Sequence, residues 1–260
     1  MEDFEGLGAA YYDYHGECSV EDYVTQRVLN HPAEIARTER LISLVPEDVE
    51  TLLDVGCGYG VFLHHLLNSR KLSVEGVDVS TESMTWGLSR GLNLKTASAH
   101  ELPYDDHAFQ MIVCSEVMEH LTWGVYESAL GELARVAENY ILMSVPYDEK
   151  RGFAKCPYCS AKINPNYHMR SFAPADLEGL FPGFRLIKQD TICELSIITT
   201  LKQFLPLPWD SGLVCPCCNY RHTSSKAHRR SSRLARLKQY LRAIPMPKRP
   251  RWLVGLYQRL

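Results

Sequence analysis

The sequence predicts a doubly wound α/β domain, and three observations carry the prediction. A buried strand runs into a glycine turn, a helical apolar pattern follows at once, and a second strand ends on an acid. The first strand is Leu52-Leu53-Asp54-Val55, an apolar run that suits a strand covered on both faces. The turn is Gly56-Cys57-Gly58-Tyr59-Gly60, after which Val61, Phe62, Leu63, Leu66 and Leu67 recur at helical spacing. Glycines here permit positive φ and let backbone and helix N-terminus approach a ligand closely. The second strand, Val74-Glu75-Gly76-Val77-Asp78, ends about twenty residues past the turn on a carboxylate that can accept hydrogen bonds from both hydroxyls of a ribose. Ser80 or Thr81 can cap the helix that follows to about Arg90, which leaves Asp78 for the ligand. An adenosine-bearing ligand is the first expectation.

Over about residues 35–200 the chain resembles the class I S-adenosylmethionine-dependent methyltransferases, whose first motif, an acid followed by Gly-x-Gly-x-Gly, is matched by Asp54, Gly56, Gly58 and Gly60. The resemblance implies that these residues lie along the methionine and ribose parts of S-adenosylmethionine and that Asp78 holds the ribose. The segment from Ala97 through Ser98, Ala99 and His100 to Gln110 is similar to the stretch that lines the adenine and leads into the fourth strand. Cys114-Ser115-Glu116-Val117-Met118-Glu119-His120-Leu121 is similar to the strand-to-helix segment beside the cofactor, which makes Ser115 and Glu116 cofactor contacts. Ser98 stands where many relatives place an Asp, so adenine contact is expected to rest on backbone near Ala99 and on apolar packing. The implied architecture is a mostly parallel, seven-stranded sheet. A nicotinamide dehydrogenase is the nearest rival, but its Gly-x-Gly-x-x-Gly spacing sets the pyrophosphate on the helix N-terminus, and here the third glycine comes one residue early.

The expected organisation is an N-terminal helical lid over 1–48, a cofactor-binding core over 49–147, the rest of the core with a substrate and zinc insertion over 148–220, and a basic extension over 221–260. The lid carries Ala10-Tyr11-Tyr12-Asp13-Tyr14 ahead of a helix with Ile35, Leu41, Ile42 and Leu44, and Tyr12 is a cofactor contact by resemblance to lids that close over the methionine end. No apolar run reaches the 18 to 20 or so residues needed to cross a bilayer, and Met1-Glu2-Asp3 lacks the pattern of a signal peptide. A cytoplasmic protein is expected.

Charge is unevenly spread. From Ser211 to Leu260 there are 12 Lys and Arg and no Asp or Glu, within a chain whose net charge is −3. Leu234, Leu237 and Leu241 share a helical stripe flanked by arginines, and Trp252, Leu253, Leu256, Tyr257 and Leu260 suggest a second amphipathic piece. Three uses are open: docking on the acidic domain, adsorption to an anionic inner-membrane surface, and contact with nucleic acid, the last the least favoured.

In such a compartment nine cysteines read as thiols or metal ligands. Cys156-Pro157-Tyr158-Cys159 and Cys215-Pro216-Cys217-Cys218 are matching knuckles, and Cys156, Cys159, Cys215 and Cys218 make a four-sulfur set for structural Zn2+. Cys217 can substitute for a neighbour. A closed four-thiolate site leaves no open position for catalysis.

Methyl transfer asks the protein for alignment, exclusion of water and, for a hydroxyl acceptor, a base. His120 and His168 are the candidate bases, with local packing or zinc ligation as their structural alternatives. The expected activity is O-methylation of a small-molecule, glycan or lipid-linked acceptor. An RNA or protein methyltransferase and a non-catalytic cofactor-binding relative are the alternatives.

Overall fold

The computed structural model describes residues 19–196, 213–218, 220 and 248–260; Tyr12 and the predicted stripe of Leu234, Leu237 and Leu241 lie outside them. The described elements run α1 (Val20–Tyr23), a π-helical stretch Val24–Leu29, α2 (Pro32–Ile42), β1 (Thr51–Val55), α3 (Val61–Ser69), β2 (Ser73–Asp78), α4 (Thr81–Leu88), β3 (Leu94–Thr96), β4 (Phe109–Ser115), α5 (Trp123–Val136), β5 (Ala137–Pro146), β6 (Ala154–Lys155), β7 (Lys162–Ile163), a short 3-10 turn Pro174–Leu177, β8 (Phe184–Ser196) and β9 (Lys248–Arg259). No described helix is long and apolar enough to cross a membrane.

Seven strands form one sheet in the order β3-β2-β1-β4-β5-β9-β8. The pairs β1–β2, β1–β4, β2–β3 and β4–β5 are parallel, and β9 joins β5 antiparallel from Tyr140 opposite Gln258 to Pro146 opposite Trp252. The expected mostly parallel seven-stranded sheet is therefore present.

Strand alternation explains how the sheet acquires two covered faces. On one face Leu53, Val55, Ile112, Ile141, Met143, Leu253 and Tyr257 join a core closed by Leu133 and Val136 of α5 and by Phe181. On the other, Leu52, Met111, Val113, Leu142, Trp252 and Val254 meet Leu41, next to the last residue of α2, and Leu63 and Leu66 of α3. Pro32 opens α2 at a first-turn position, where its missing N–H costs nothing, and the Ser80 hydroxyl caps α4 by accepting from the Ser83 N–H at 3.1 Å.

The last strand departs from the sequence reading. Trp252 to Leu260, read as an amphipathic piece of a basic extension, instead supply a core strand in which Trp252, Leu253, Val254 and Tyr257 are at most 2% exposed. Gly255 is required there, since a Cβ would stand 2.8 Å from the Tyr257 ring, which packs on Phe181 while its hydroxyl donates to the Leu177 carbonyl at 3.0 Å. The chain divides into two compact units: the described residues to Glu149 with His168–Cys193 and Pro250–Leu260 form one, and Lys150–Tyr167 with the described residues of Glu194–Arg249 form the other.

Candidate active site

Strand order reverses beside β1, between its neighbours β2 and β4, and in such sheets ligands bind at the carboxyl ends of the strands near this point. The loop leaving β1 is fastened to the tip of β2, because the Gly56 and Cys57 N–H groups both donate to the Val77 carbonyl, at 2.8 and 3.0 Å. Gly56 has φ +74°, and a Cβ on it would fall 2.1 Å from Val117 Cγ2, so the loop and the segment after β4 approach to a distance only glycine allows. Gly60, at φ +75°, is the N-cap of α3. At Gly58 the picture is different: φ is +49° and, among the described residues, a Cβ would meet no heavy atom within 4 Å.

Asp78 is held from two sides. Its Oδ2 accepts from the Gly58 N–H at 2.7 Å and its Oδ1 from the Ser80 N–H at 2.8 Å. Ser80, not Asp78, caps α4, as the sequence allows. Asp54, at the carboxyl end of β1, is 4% exposed, and burial first, then the charge of Asp78, push its carboxyl up to about 7 against the opposing pull of Arg37. Two carboxylates thus stand beside a turn of bare backbone.

Of the other expected cofactor residues, Ser98 and Ala99 follow β3, Ser115 ends β4 and Glu116 follows it, and Tyr12 lies outside the described residues. The Ala97 N–H donates to the Asp78 carbonyl at 3.1 Å, which starts the Ser98–Ala99 loop at the tip of β2. The Ser98 hydroxyl shares a 2.6 Å hydrogen bond with His100 Nδ1, and Ala99 is buried. Ser115 Oγ accepts from Arg37 at 3.3 Å. Glu116 sits at φ +59° with its N–H on the Ser144 carbonyl, and its carboxylate accepts from Trp252 Nε1 at 2.8 Å and lies 4.0 Å from Arg37. Burial raises the Glu116 carboxyl, while Arg37 and the Trp252 N–H act to lower it. Arg37 and Trp252, from α2 and β9, carry no motif and reach the site only through tertiary structure.

Past Glu116 the two predicted histidines come together, their rings 4.7 Å apart at 80°. His120 Nε2 is 3.9 Å from Glu119 Oε1, and His168 Nδ1 makes a close contact with Glu149 Oε2. The Glu119 carbonyl accepts from the Met169 and Arg170 N–H groups at 2.7 and 3.4 Å, and Arg170 donates to the Leu121 carbonyl at 2.7 Å, which holds the segment after His168 against the segment after β4. Glu119 lies inside the quoted segment, yet its burial could not be read from sequence; Glu149 carried no signal at all.

In the second unit the two cysteine knuckles converge. Cys156 Sγ is 3.7 Å from Cys218 Sγ, Cys159 Sγ is 3.5 Å from Cys215 Sγ, and all four sulfurs lie within 4.8 Å of one another. A tetrahedral ion with metal–sulfur bonds of about 2.3 Å requires sulfurs about 3.8 Å apart, so the donor set fits zinc. Cys217 is exposed and lies outside the set. Tyr158, within the first knuckle, and Tyr220 lie with their rings parallel, 6.3 Å apart at 4°.

Residues 52–139 match the family described as "Methyltransferase domain". The chain is 33% identical over 113 residues to "Probable methyltransferase PMT19" of Arabidopsis thaliana, a match covering 41% of this chain and 18% of that protein. The chain thus spans less than a fifth of that relative. Among solved structures, 1,6-didemethyltoxoflavin-N1-methyltransferase of Burkholderia thailandensis superposes with a TM-score of 0.58 at 13% identity, covering 100% of this chain and 91% of that one. The [4+2]-cyclase SpnF also reaches 0.58, at 16% identity over 97% and 94%. At these identities the likeness is one of fold.

Proposed function

Because the chain carries a class I S-adenosylmethionine-dependent methyltransferase domain, we propose that it methylates a hydroxyl of a small-molecule, glycan or lipid-linked acceptor. The observation that supports this reading best is the Asp78 carboxylate, held by the Gly58 and Ser80 N–H groups, with the buried Asp54 nearby: fixed carboxylates at a glycine turn suit a ribose and a cationic ligand. The [4+2]-cyclase SpnF shares the fold, so the fold alone does not name the chemistry and the residues of the site have to.

S-adenosylmethionine supplies an electrophilic methyl group. Asp78 would hold the ribose hydroxyls, the glycine turn and the carboxylate of Asp54 would face the methionine part, and the Ser98–Ala99 loop with Ser115 would border the adenosine. Arg37 and Trp252 fix Glu116 and so set the backbone of the segment after β4. The acceptor hydroxyl has to lose its proton; His120 and His168, whose rings lie 4.7 Å apart, would take it, and Glu149 would orient the His168 ring. The four cysteines would hold zinc as a structural ion.

The test incubates the full chain and radiolabelled S-adenosylmethionine with fractionated cell extract. Label in a small-molecule, glycan or lipid fraction is expected. Label confined to RNA or protein would replace the acceptor class, and no transfer to any fraction by a chain that binds the cofactor would favour a non-catalytic relative.

A further inference from the structure

Glu119 presents the strongest unexplained chemistry in the molecule. Its side chain is 1% exposed, and neither carboxylate oxygen has a hydrogen-bond partner among the described residues. A buried carboxylate is ordinarily paired, hydrogen-bonded or bound to a metal, because removing it from water uncompensated is costly. What faces it is a pair of imidazoles: one donor atom each from Glu119, His120 and His168 lie within 4.8 Å of one another.

From this geometry we infer that Glu119, His120 and His168 bind a divalent first-row transition metal, at a site separate from the cysteine cluster. Two imidazoles and one carboxylate are a donor set for such ions, and three protein ligands leave coordination positions open. The surroundings support it. Glu149 contacts His168 Nδ1, the kind of carboxylate–histidine pairing that orients a ligating ring. The backbone bonds from Met169 and Arg170 to the Glu119 carbonyl fix His168 against Glu119 independently of any ion. Glu116, three residues before Glu119, adds a second carboxylate whose charge is felt by Glu119.

The consequence for the acceptor rests on the methyl-transfer reading. An acceptor hydroxyl bound at an open position would have its pKa lowered by the ion; its O–H bond then breaks with the proton passing to water, and the oxygen forms the new C–O bond as the methyl C–S bond breaks. The two histidines would in this way act on the acceptor proton as ligands, and acceptors offering a coordinating hydroxyl or a pair of adjacent hydroxyls would be favoured.

Manganese(II) tests the site, because a carboxylate suits it and the thiolates of the cysteine cluster do not. Titration of the full chain, followed by loss of the free-ion paramagnetic resonance signal, is expected to show one bound equivalent. His120→Ala, His168→Ala and Glu119→Gln should each weaken it by about tenfold or more, and Glu149→Gln by about tenfold through lost orientation. Cys156→Ser should leave manganese binding unchanged. Thermal melts confirm folding, and should Glu119→Gln fail to fold, the two histidine variants decide. No binding at millimolar manganese, or binding retained in both histidine variants, would overturn the inference. S-adenosylhomocysteine binding, measured on the same samples, keeps the two readings apart: loss of cofactor binding alone would sink the proposed function and leave the metal site standing.

Discussion

Gly56→Ala and Gly58→Ala separate the close approach behind the glycine turn from its left-handed backbone. Both residues have positive φ, so alanine at either carries the left-handed backbone penalty of about 1–2 kcal/mol. Only Gly56 adds a clash. Its Cβ would stand 2.1 Å from Val117 Cγ2, and a valine resists χ1 rotation, so overpacking of about 1–3 kcal/mol is added. Gly56→Ala should therefore lose about 2–5 kcal/mol of stability and Gly58→Ala about 1–2 kcal/mol. Urea denaturation followed by circular dichroism reads both. Placing Gly56→Ala in a Val117→Ala background should return the overpacking part and leave the backbone part. Equal losses in the two single variants, or no relief from Val117→Ala, would refute the claimed close approach.

Three further outcomes follow from the same geometry. Asp54 titrates near 7 when folded against 3.8 ordinarily, so the folded state holds its proton more tightly; stability should fall as pH rises from about 4 through about 7 and then level off. That interval is worth on the order of 4 kcal/mol, and urea midpoints across it should fall less steeply in Asp54→Asn than in the parent. Trp252→Phe removes the N–H donated to Glu116 and should cost about 1–3 kcal/mol in the same denaturation assay; an unchanged midpoint would make that bond dispensable. Metal analysis of protein purified without chelator should find zinc, with one equivalent lost in a Cys156→Ser, Cys215→Ser variant, and a zinc content unchanged by that variant would place the ion elsewhere.

What was legible in the sequence was what local pattern encodes. The order strand, glycines, helix, strand and acid runs through contiguous residues from Leu52 to Asp78, and each step has its own periodicity or backbone requirement. The cysteine knuckles were legible because tight thiolate turns need a fixed spacing. Strand β9 was not: Trp252-Leu253-Val254 and Leu256-Tyr257 are buried on both faces, so they show no period-two alternation, and the basic stretch before them hid the change. Arg37, Glu149 and Trp252 escaped for a different reason. They reach the site from α2, the loop after β5 and β9, by contacts distant in sequence, and a single Arg, Glu or Trp carries no local mark of such a partner. His168 was noticed as a lone histidine; its ring neighbour His120, 48 residues earlier, is a product of the fold.

Binding of an adenosyl cofactor at the carboxyl ends of β1 and β2, through Asp78, is read by calorimetry with S-adenosylhomocysteine. The full chain is expected to bind one equivalent, to lose at least tenfold in affinity as Asp78→Ala, and to give no heat with NAD. An absence of binding, an affinity indifferent to Asp78→Ala, or tight binding of NAD instead would contradict it.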